Sequence, residues 1–170
     1  VEALWSLGRV GRRLYAGTKP AELFVSDDDG EKWAHIPALT KHPSRSEWFP
    51  GNAGLILHTI LGSPQDVQKI WVGISAVGVF GSEDGGATWE PRNRGTRNDY
   101  AEDPYPEYGQ CVHNIQRADA PGDLLYQQNH CGTYRSEDGG REWRSIEEGL
   151  PSSFGFPIAV HPRKPDTIWV

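Results

Sequence analysis

The chain has 170 residues and a formal net charge of −6, with 17 basic against 23 acidic side chains. An acidic chain without a basic run is a poor nucleic-acid binder, and no apolar stretch reaches the length of a membrane span. We therefore expect a soluble protein with no nucleic-acid and no membrane partner. No signal peptide is visible, and the compartment stays open with a slight preference for the cytoplasm.

The first unit contains two runs of β-type residues, Arg13–Gly17 and Leu23–Val25. The second run leads directly into the pattern Ser-x-Asp-x-Gly-x-x-Trp, which begins at Ser26. Ser and Asp side chains hydrogen-bond nearby backbone N–H groups in turns, and Gly adopts backbone angles that other residues avoid. The Trp can fold back over such a turn with a large apolar face. The pattern therefore predicts a tight turn between two strands.

The second and third units repeat this order. Three β-type runs precede each further copy of the pattern: Leu55–Ile60, Ile70–Gly73 and Val79–Phe80, then Cys111–Ile115, Leu124–Gln127 and Thr133–Tyr134. The copies begin 56 and 54 residues apart (82 − 26 and 136 − 82). We expect all twelve pattern residues to be structural: Ser26, Asp28, Gly30, Trp33, Ser82, Asp84, Gly86, Trp89, Ser136, Asp138, Gly140 and Trp143. A fourth unit begins near Phe156, and the sequence stops inside its second strand.

This repeat predicts an all-β fold, a β-propeller built of four-stranded antiparallel blades. Strands A to D follow one another in each blade, with the pattern at the C–D turn. The blades span roughly 1–36, 54–91 and 109–146, and a truncated fourth starts at 156, so about three and a half blades are present. Closed propellers typically have about four to eight blades. We expect the remaining blades to come from further sequence or, as the less favoured alternative, from a second copy.

Two long connections and the B–C turns are predicted to lie on the face opposite the patterned turns, because successive strands alternate in direction. The connections span about 36–53 and 91–109, and loops of this length are often functional. Their aromatic, Arg and carboxylate side chains would suit a polar ligand. The candidate ligand-binding residues are His58, Arg92, Arg94, Tyr100, Cys111, His113, Gln128, Asn129 and His130.

The cysteines and histidines of the third unit allow several interpretations. Cys111 and His113 share one face of a strand, and His130 and Cys131 lie in the turn at the same end. Four such residues could bind zinc, but their spacing matches no familiar zinc pattern, and neighbouring His130 and Cys131 should point apart. We expect no metal and no cofactor, and reduced cysteines that pack or line a pocket. A disulfide is the other alternative.

The patterned turns resemble the Asp-box, or BNR, repeat of sialidases, xyloglucanases, sortilin-type receptors and a photosystem assembly factor. Three further segments resemble bacterial BNR-repeat proteins that are often described as sialidase-like glycosyl hydrolases: Trp48–Gly51, Gly109–His113 and Gln127–Gly132. The resemblance implies a propeller whose Asp-boxes lie away from the active site. The polar ligand that the side chains of the two long connections would suit is a sugar.

Two functions follow. The first is a sialidase-like propeller with a polar or carbohydrate ligand site and an unassigned activity, glycoside hydrolysis if it is an enzyme. Most glycoside hydrolases need two carboxyl groups, about 5–10 Å apart across a cleft, whereas sialidases use a Tyr nucleophile. No motif selects a pair, and the Arg-Ile-Pro motif of sialidases is absent; the loop carboxylates are Glu47, Asp99, Glu102, Asp103 and Glu107. The alternative is a non-catalytic scaffold or protein-binding propeller, of the assembly-factor or receptor type.

Overall fold

The computed structural model describes residues 1–170 as four antiparallel sheets joined in series. The first sheet contains β1 Ala3–Val10, β2 Arg13–Lys19, β3 Leu23–Ser26 and β4 Ala34–His35. The second contains β5 Leu57–Gly62, β6 Ile70–Ile74, β7 Gly78–Ser82 and β8 Glu90–Pro91. The third contains β9 Val112–Arg117, β10 Leu125–Asn129, β11 Gly132–Ser136 and β12 Arg144–Ser145. The last pairs β13 Ala159–His161 with β14 Lys164–Trp169.

Each sheet is a meander in which consecutive strands are hydrogen-bonded neighbours. The middle strands β6, β7 and β10 are buried along their whole length, because the sheets pack against each other on both faces. Strands covered on both faces read as continuous runs of buried residues rather than as an alternation. This arrangement is the one predicted for successive propeller blades.

Apolar side chains fill the space between neighbouring sheets. Tyr15 of the first sheet and Phe80 of the second belong to one buried cluster. Trp71 of the second sheet and Ile115 of the third belong to another. Removing apolar surface from water in this way is the main favourable contribution to folding, at about 25 cal/mol per Å². The sheets are therefore held together by packing between blades as much as by hydrogen bonds within them.

The connection between the first two sheets is more ordered than the sequence predicted. It contains a short helix, α1, over Pro37–Thr40 and a 3-10 helix over Pro43–Glu47. Both are too short to show helical periodicity, which is why the sequence did not predict them. Trp48 follows them, is buried, and packs beside Phe80 with ring centroids 5.1 Å apart. Most of this connection therefore covers the second sheet. None of the helices is long and apolar enough to cross a membrane.

The patterned turns form the same hydrogen bonds in all three copies. In the second copy, the Ser82 hydroxyl donates to Asp84 Oδ1 at 2.8 Å and accepts from the Gly86 N–H at 2.8 Å. Asp84 Oδ1 also accepts from the Thr88 N–H at 2.8 Å. Gly86 has a φ of 94°, which a side chain would strain. The repeated Ser, Asp and Gly of the pattern thus each have a structural role within the turn.

In the second and third copies, the Trp of the turn packs toward the preceding blade. Trp143 is 2% exposed and donates its Nε1–H to the Arg92 carbonyl of the second blade at 2.8 Å. Trp89 is 6% exposed and belongs to the cluster between the first two sheets. Trp33 is 40% exposed, because no sheet covers it within residues 1–170. The Trp of this pattern therefore joins one blade to the one before it.

This difference predicts unequal effects of one substitution. Trp143→Ala should lower the free energy of unfolding by about 3–5 kcal/mol, the usual cost of deleting a buried aromatic side chain. Trp33→Ala removes the same side-chain atoms from the corresponding turn of the first blade and is the matched control. It should cost much less, because much of that ring already contacts water. Urea denaturation of both variants measures the difference, and equal losses would contradict a role in joining blades.

Candidate functional site

The candidate ligand residues of the third blade lie at the end of the sheet away from its patterned turn. Val112 at the start of β9 pairs with Asn129 at the end of β10, and His130 follows in the turn to β11. The patterned turn begins at Ser136, where β11 ends. The two sets of residues are therefore separated by the length of the strands.

Three side chains converge at this end. One ligand-type atom each from Cys111, His113 and His130 lies within 4.8 Å of the other two. The Cys111 Sγ and the His113 Nε2 are 3.6 Å apart. The other ring nitrogen of His113, Nδ1, lies 2.6 Å from the Gly155 carbonyl oxygen. The sequence placed these three residues at one end of the blade, and the structure brings their reactive atoms together.

Aromatic rings hold the two histidines in place. Phe156 stacks on His113 with ring centroids 4.3 Å apart and planes 13° from parallel. Phe154 meets His130 edge-on at 4.8 Å, and Tyr100 meets the same imidazole at 5.2 Å. Such contacts restrict ring rotation and exclude water from the faces of the rings. The cluster is therefore held by the connections on both sides of the third blade.

The cluster opens into a cleft of about 520 Å³ between the second and third blades. Four connections supply its lining residues: Gly51, Asn52, Ala76, Asn98, Tyr100, Gly109, Cys111 and His130. Hydrogen bonds to backbone carbonyls join the walls of the cleft. The Gly109 N–H donates to the Val77 carbonyl at 2.8 Å, and the Asn98 side-chain amide donates to the Gly109 carbonyl at 3.0 Å. The cleft therefore combines amides, one exposed aromatic ring, a thiol and an imidazole.

Burial affects the protonation of the cluster. It raises the pKa of the Cys111 thiol above its ordinary value. It also lowers the pKa of His113, although the hydrogen bond to Gly155 acts in the opposite direction. Both groups therefore favour their neutral forms, and neither adds a charge to the cleft at neutral pH.

Gln128 and Asn129 lie behind the cleft and are buried. The Gln128 side-chain amide donates to the carbonyls of Gly132 and Ser153, at 3.3 and 3.1 Å, and its oxygen accepts from Thr133. Gln128 therefore supports the His130 turn rather than meeting a ligand. Cys131 is also buried, and its sulfur accepts from the Asp99 N–H at 3.5 Å. Both cysteines are free thiols.

The structure corrects the expectation for two arginines. Arg92 is buried and forms ion pairs with Glu83 and Glu90 at 3.2 and 3.0 Å. Arg94 pairs with Glu142 at 2.9 Å. Glu83 and Glu142 belong to the patterned turns of the second and third blades, so both arginines lie at the turn end of the blades. Both follow the very short strand β8; Arg92 pairs within its own blade, and Arg94 pairs with the next blade before the chain reaches the cleft.

His58 also lies apart from the cleft. A Cβ atom added at Gly73 would come within 2.9 Å of both the His58 ring and the Ile115 side chain, so the imidazole fills the space between the second and third sheets. Its Nδ1 lies 2.8 Å from the Thr59 hydroxyl, and its Nε2 is buried without a hydrogen-bond partner. Burial, with a small contribution from His113, lowers the pKa of His58 to about 4. The residue therefore acts as an inter-blade packing group.

Sequence reasoning missed the aromatic residues Phe154 and Phe156 and the Gly155 carbonyl between them. They precede β13 and therefore lie at the same end as the other long connections, which is the signal that could have found them. It also missed Asn98 and Ala76, which have no distinguishing pattern.

No protein-family model and no curated protein matches this sequence. Solved structures do resemble it. An ancestral GH74 enzyme is 17% identical, with a TM-score of 0.65 over 94% of this chain and 20% of that chain. YCF48 bound to D1 peptide is 16% identical, with a TM-score of 0.58 over 94% of this chain and 45% of that chain. YCF48 from Cyanidioschyzon merolae is 17% identical, with a TM-score of 0.54 over 92% of this chain and 46% of that chain.

These likenesses confirm the predicted fold class. The chain is an all-β partial propeller of about three to four blades. It spans a fifth of the GH74 enzyme and less than half of YCF48. At identities below a fifth, the resemblance shows the fold alone, and a fold hosts many functions. The site must therefore be argued from its own residues.

The low pKa of His58 predicts a pH dependence of stability. The folded pKa of about 4 is lower than the ordinary value of 6.5, so the folded state binds this proton less readily than the unfolded state. The contribution of neutral His58 to the free energy of unfolding is fully present above pH 6.5 and is lost as the pH falls toward 4. The full loss is about 3 kcal/mol, since each pH unit contributes about 1.4 kcal/mol.

The His58→Gln variant should remove this part of the pH dependence in urea denaturation between pH 7 and 4. Urea denaturation of the unaltered chain over the same pH range is the control. If the free energy of unfolding of His58→Gln depends on pH as that of the unaltered chain does, the His58 imidazole titrates normally in the folded protein.

Proposed function

We propose that this chain supplies part of a ligand-binding propeller, and that the cleft beside Tyr100 and His130 takes a polar ligand of the carbohydrate class. One observation carries the proposal. Separate connections place two side-chain amides, from Asn52 and Asn98, around an exposed tyrosine at the end of the blades away from the patterned turns. Binding sites typically combine apolar or aromatic area with a few placed polar groups. A sugar presents both apolar faces and hydroxyls to such a surface.

The lining of the cleft favours binding over hydrolysis by this part of the chain. It contains no carboxylate. Asp99, one of the loop carboxylates, forms an ion pair with Arg97 at 2.8 Å. Glu47 raises the pKa of Tyr108 to about 12 through a hydrogen bond with its hydroxyl. A pair of carboxyl groups placed for glycoside hydrolysis is thus not found around this cleft.

A second candidate is recognition of a peptide. Exposed apolar rings favour it, because Phe49, Phe154 and Phe156 are 77%, 45% and 61% exposed. Exposed apolar area of this kind often marks an interaction surface. One solved structure with this fold, YCF48, was determined with D1 peptide bound. The likeness shows the fold alone, so the peptide hypothesis depends on these three phenylalanines.

Isothermal titration of the chain with neutral and acidic oligosaccharides tests the first candidate. Tyr100→Ala should weaken binding about tenfold or more, since a tenfold change corresponds to about 1.4 kcal/mol and a well-placed aromatic contact contributes at least that. Tyr105→Ala is the matched control, because Tyr105 is 59% exposed and does not line this cleft.

Equal effects of the two substitutions, or no oligosaccharide binding at all, would contradict the carbohydrate proposal. A peptide panel measured with the same variants and with Phe156→Ala separates the second candidate. Peptide binding that depends on Phe156 and not on Tyr105 would support it.

A further inference from the structure

The spacing of the ligand-type atoms of Cys111, His113 and His130 fits a metal site. Tetrahedral zinc with Zn–S of about 2.3 Å and Zn–N of about 2.0–2.1 Å places sulfur and nitrogen about 3.6 Å apart. The Cys111 Sγ and the His113 Nε2 are 3.6 Å apart. The His130 ligand nitrogen lies within 4.8 Å of the Cys111 and His113 ligand atoms. A side-chain adjustment of about 1 Å therefore brings all three atoms to the separations of a zinc site.

The orientation of His113 is the one a metal ligand needs. The Gly155 carbonyl can only accept a hydrogen bond, so His113 Nδ1 carries the proton and donates it at 2.6 Å. In the neutral ring, Nε2 then keeps its lone pair, and this is the atom beside Cys111. Metal-binding histidines almost always donate their other ring N–H to a carbonyl or carboxylate in this way. The stacked Phe156 fixes the plane of the same ring.

The atom types select the metal. A thiolate and two imidazoles suit zinc, whereas calcium and magnesium prefer oxygen ligands. Cys131 does not complete the set, because its sulfur accepts from the Asp99 N–H. Three protein ligands with an open position are typical of zinc sites that bind water or a substrate oxygen.

We propose that Cys111, His113 and His130 bind one zinc ion whose fourth position faces the cleft. This inference goes beyond the ligand-binding function and stands without it. It reverses the expectation of no metal, which was based on sequence spacing. Spacing could not reveal the site because Gly155 and Phe156, which orient His113, come from the connection to the next blade.

Titration of the metal-free chain with zinc, and with cobalt as an optical probe, tests the proposal. We expect one ion per chain and a sulfur-to-cobalt charge-transfer band. Cys111→Ser should abolish the band and weaken zinc binding about 100-fold or more, beyond the 10–100-fold typical of losing an outer hydrogen-bond partner. Cys131→Ser is the matched control and should keep both the band and the affinity.

No stoichiometric binding, or a band that survives Cys111→Ser, would overturn the proposal, as would a band lost only in Cys131→Ser. If Cys111→Ser does not fold, alkylation of the unaltered chain decides the question. Zinc should slow modification of Cys111 at least about tenfold, because a metal-bound thiolate is a poor nucleophile toward the reagent. The rate for Cys111 in the metal-free chain is the reference. An unchanged rate at Cys111 would reject the site.

Discussion

The hydrogen bonds of the Ser-x-Asp-x-Gly-x-x-Trp turn are the constraint on which this architecture depends. A turn between two short strands exposes backbone N–H groups that need partners. Here the Ser hydroxyl and the Asp carboxylate accept those N–H groups, as Ser136 and Asp138 do for Gly140 and Glu142. With its backbone satisfied locally, the turn can place a Trp against the preceding blade. The hydrogen bonds within a turn thereby position the side chain that packs between two sheets.

Because the patterned turns stabilise one end of the blades, the opposite end is available for a functional site. The turn end is occupied by Trp contacts and by ion pairs that cross between blades, such as Arg94 with Glu142. At the opposite end, long connections meet without a repeated structural motif. There His113, His130 and Cys111 lie beside a cleft, oriented by groups from neighbouring connections. The regular repeat thus supports an irregular site.

The sequence predicted the fold well and the site in part. The three turn patterns and the β-type runs before them led to four-stranded antiparallel units, because each such feature is local and periodic. Arg92 and Arg94 were placed at the wrong end, since β8 has only two residues and the chain pairs with the next blade directly after it. The roles of His58 and Phe156 depend on which side chains meet across blades, and no local pattern encodes that.

Hydrogen exchange of the turn amides measures the central constraint most directly. The N–H groups of Gly86 and Gly140, which donate to serine hydroxyls at 2.8 Å, should exchange as slowly as amides within β6 or β10. Ser82→Ala should release Gly86 and leave Gly140 protected. Exchange of both glycine amides in the unaltered chain at the rate of an exposed loop amide, such as that of Glu102, would contradict the account.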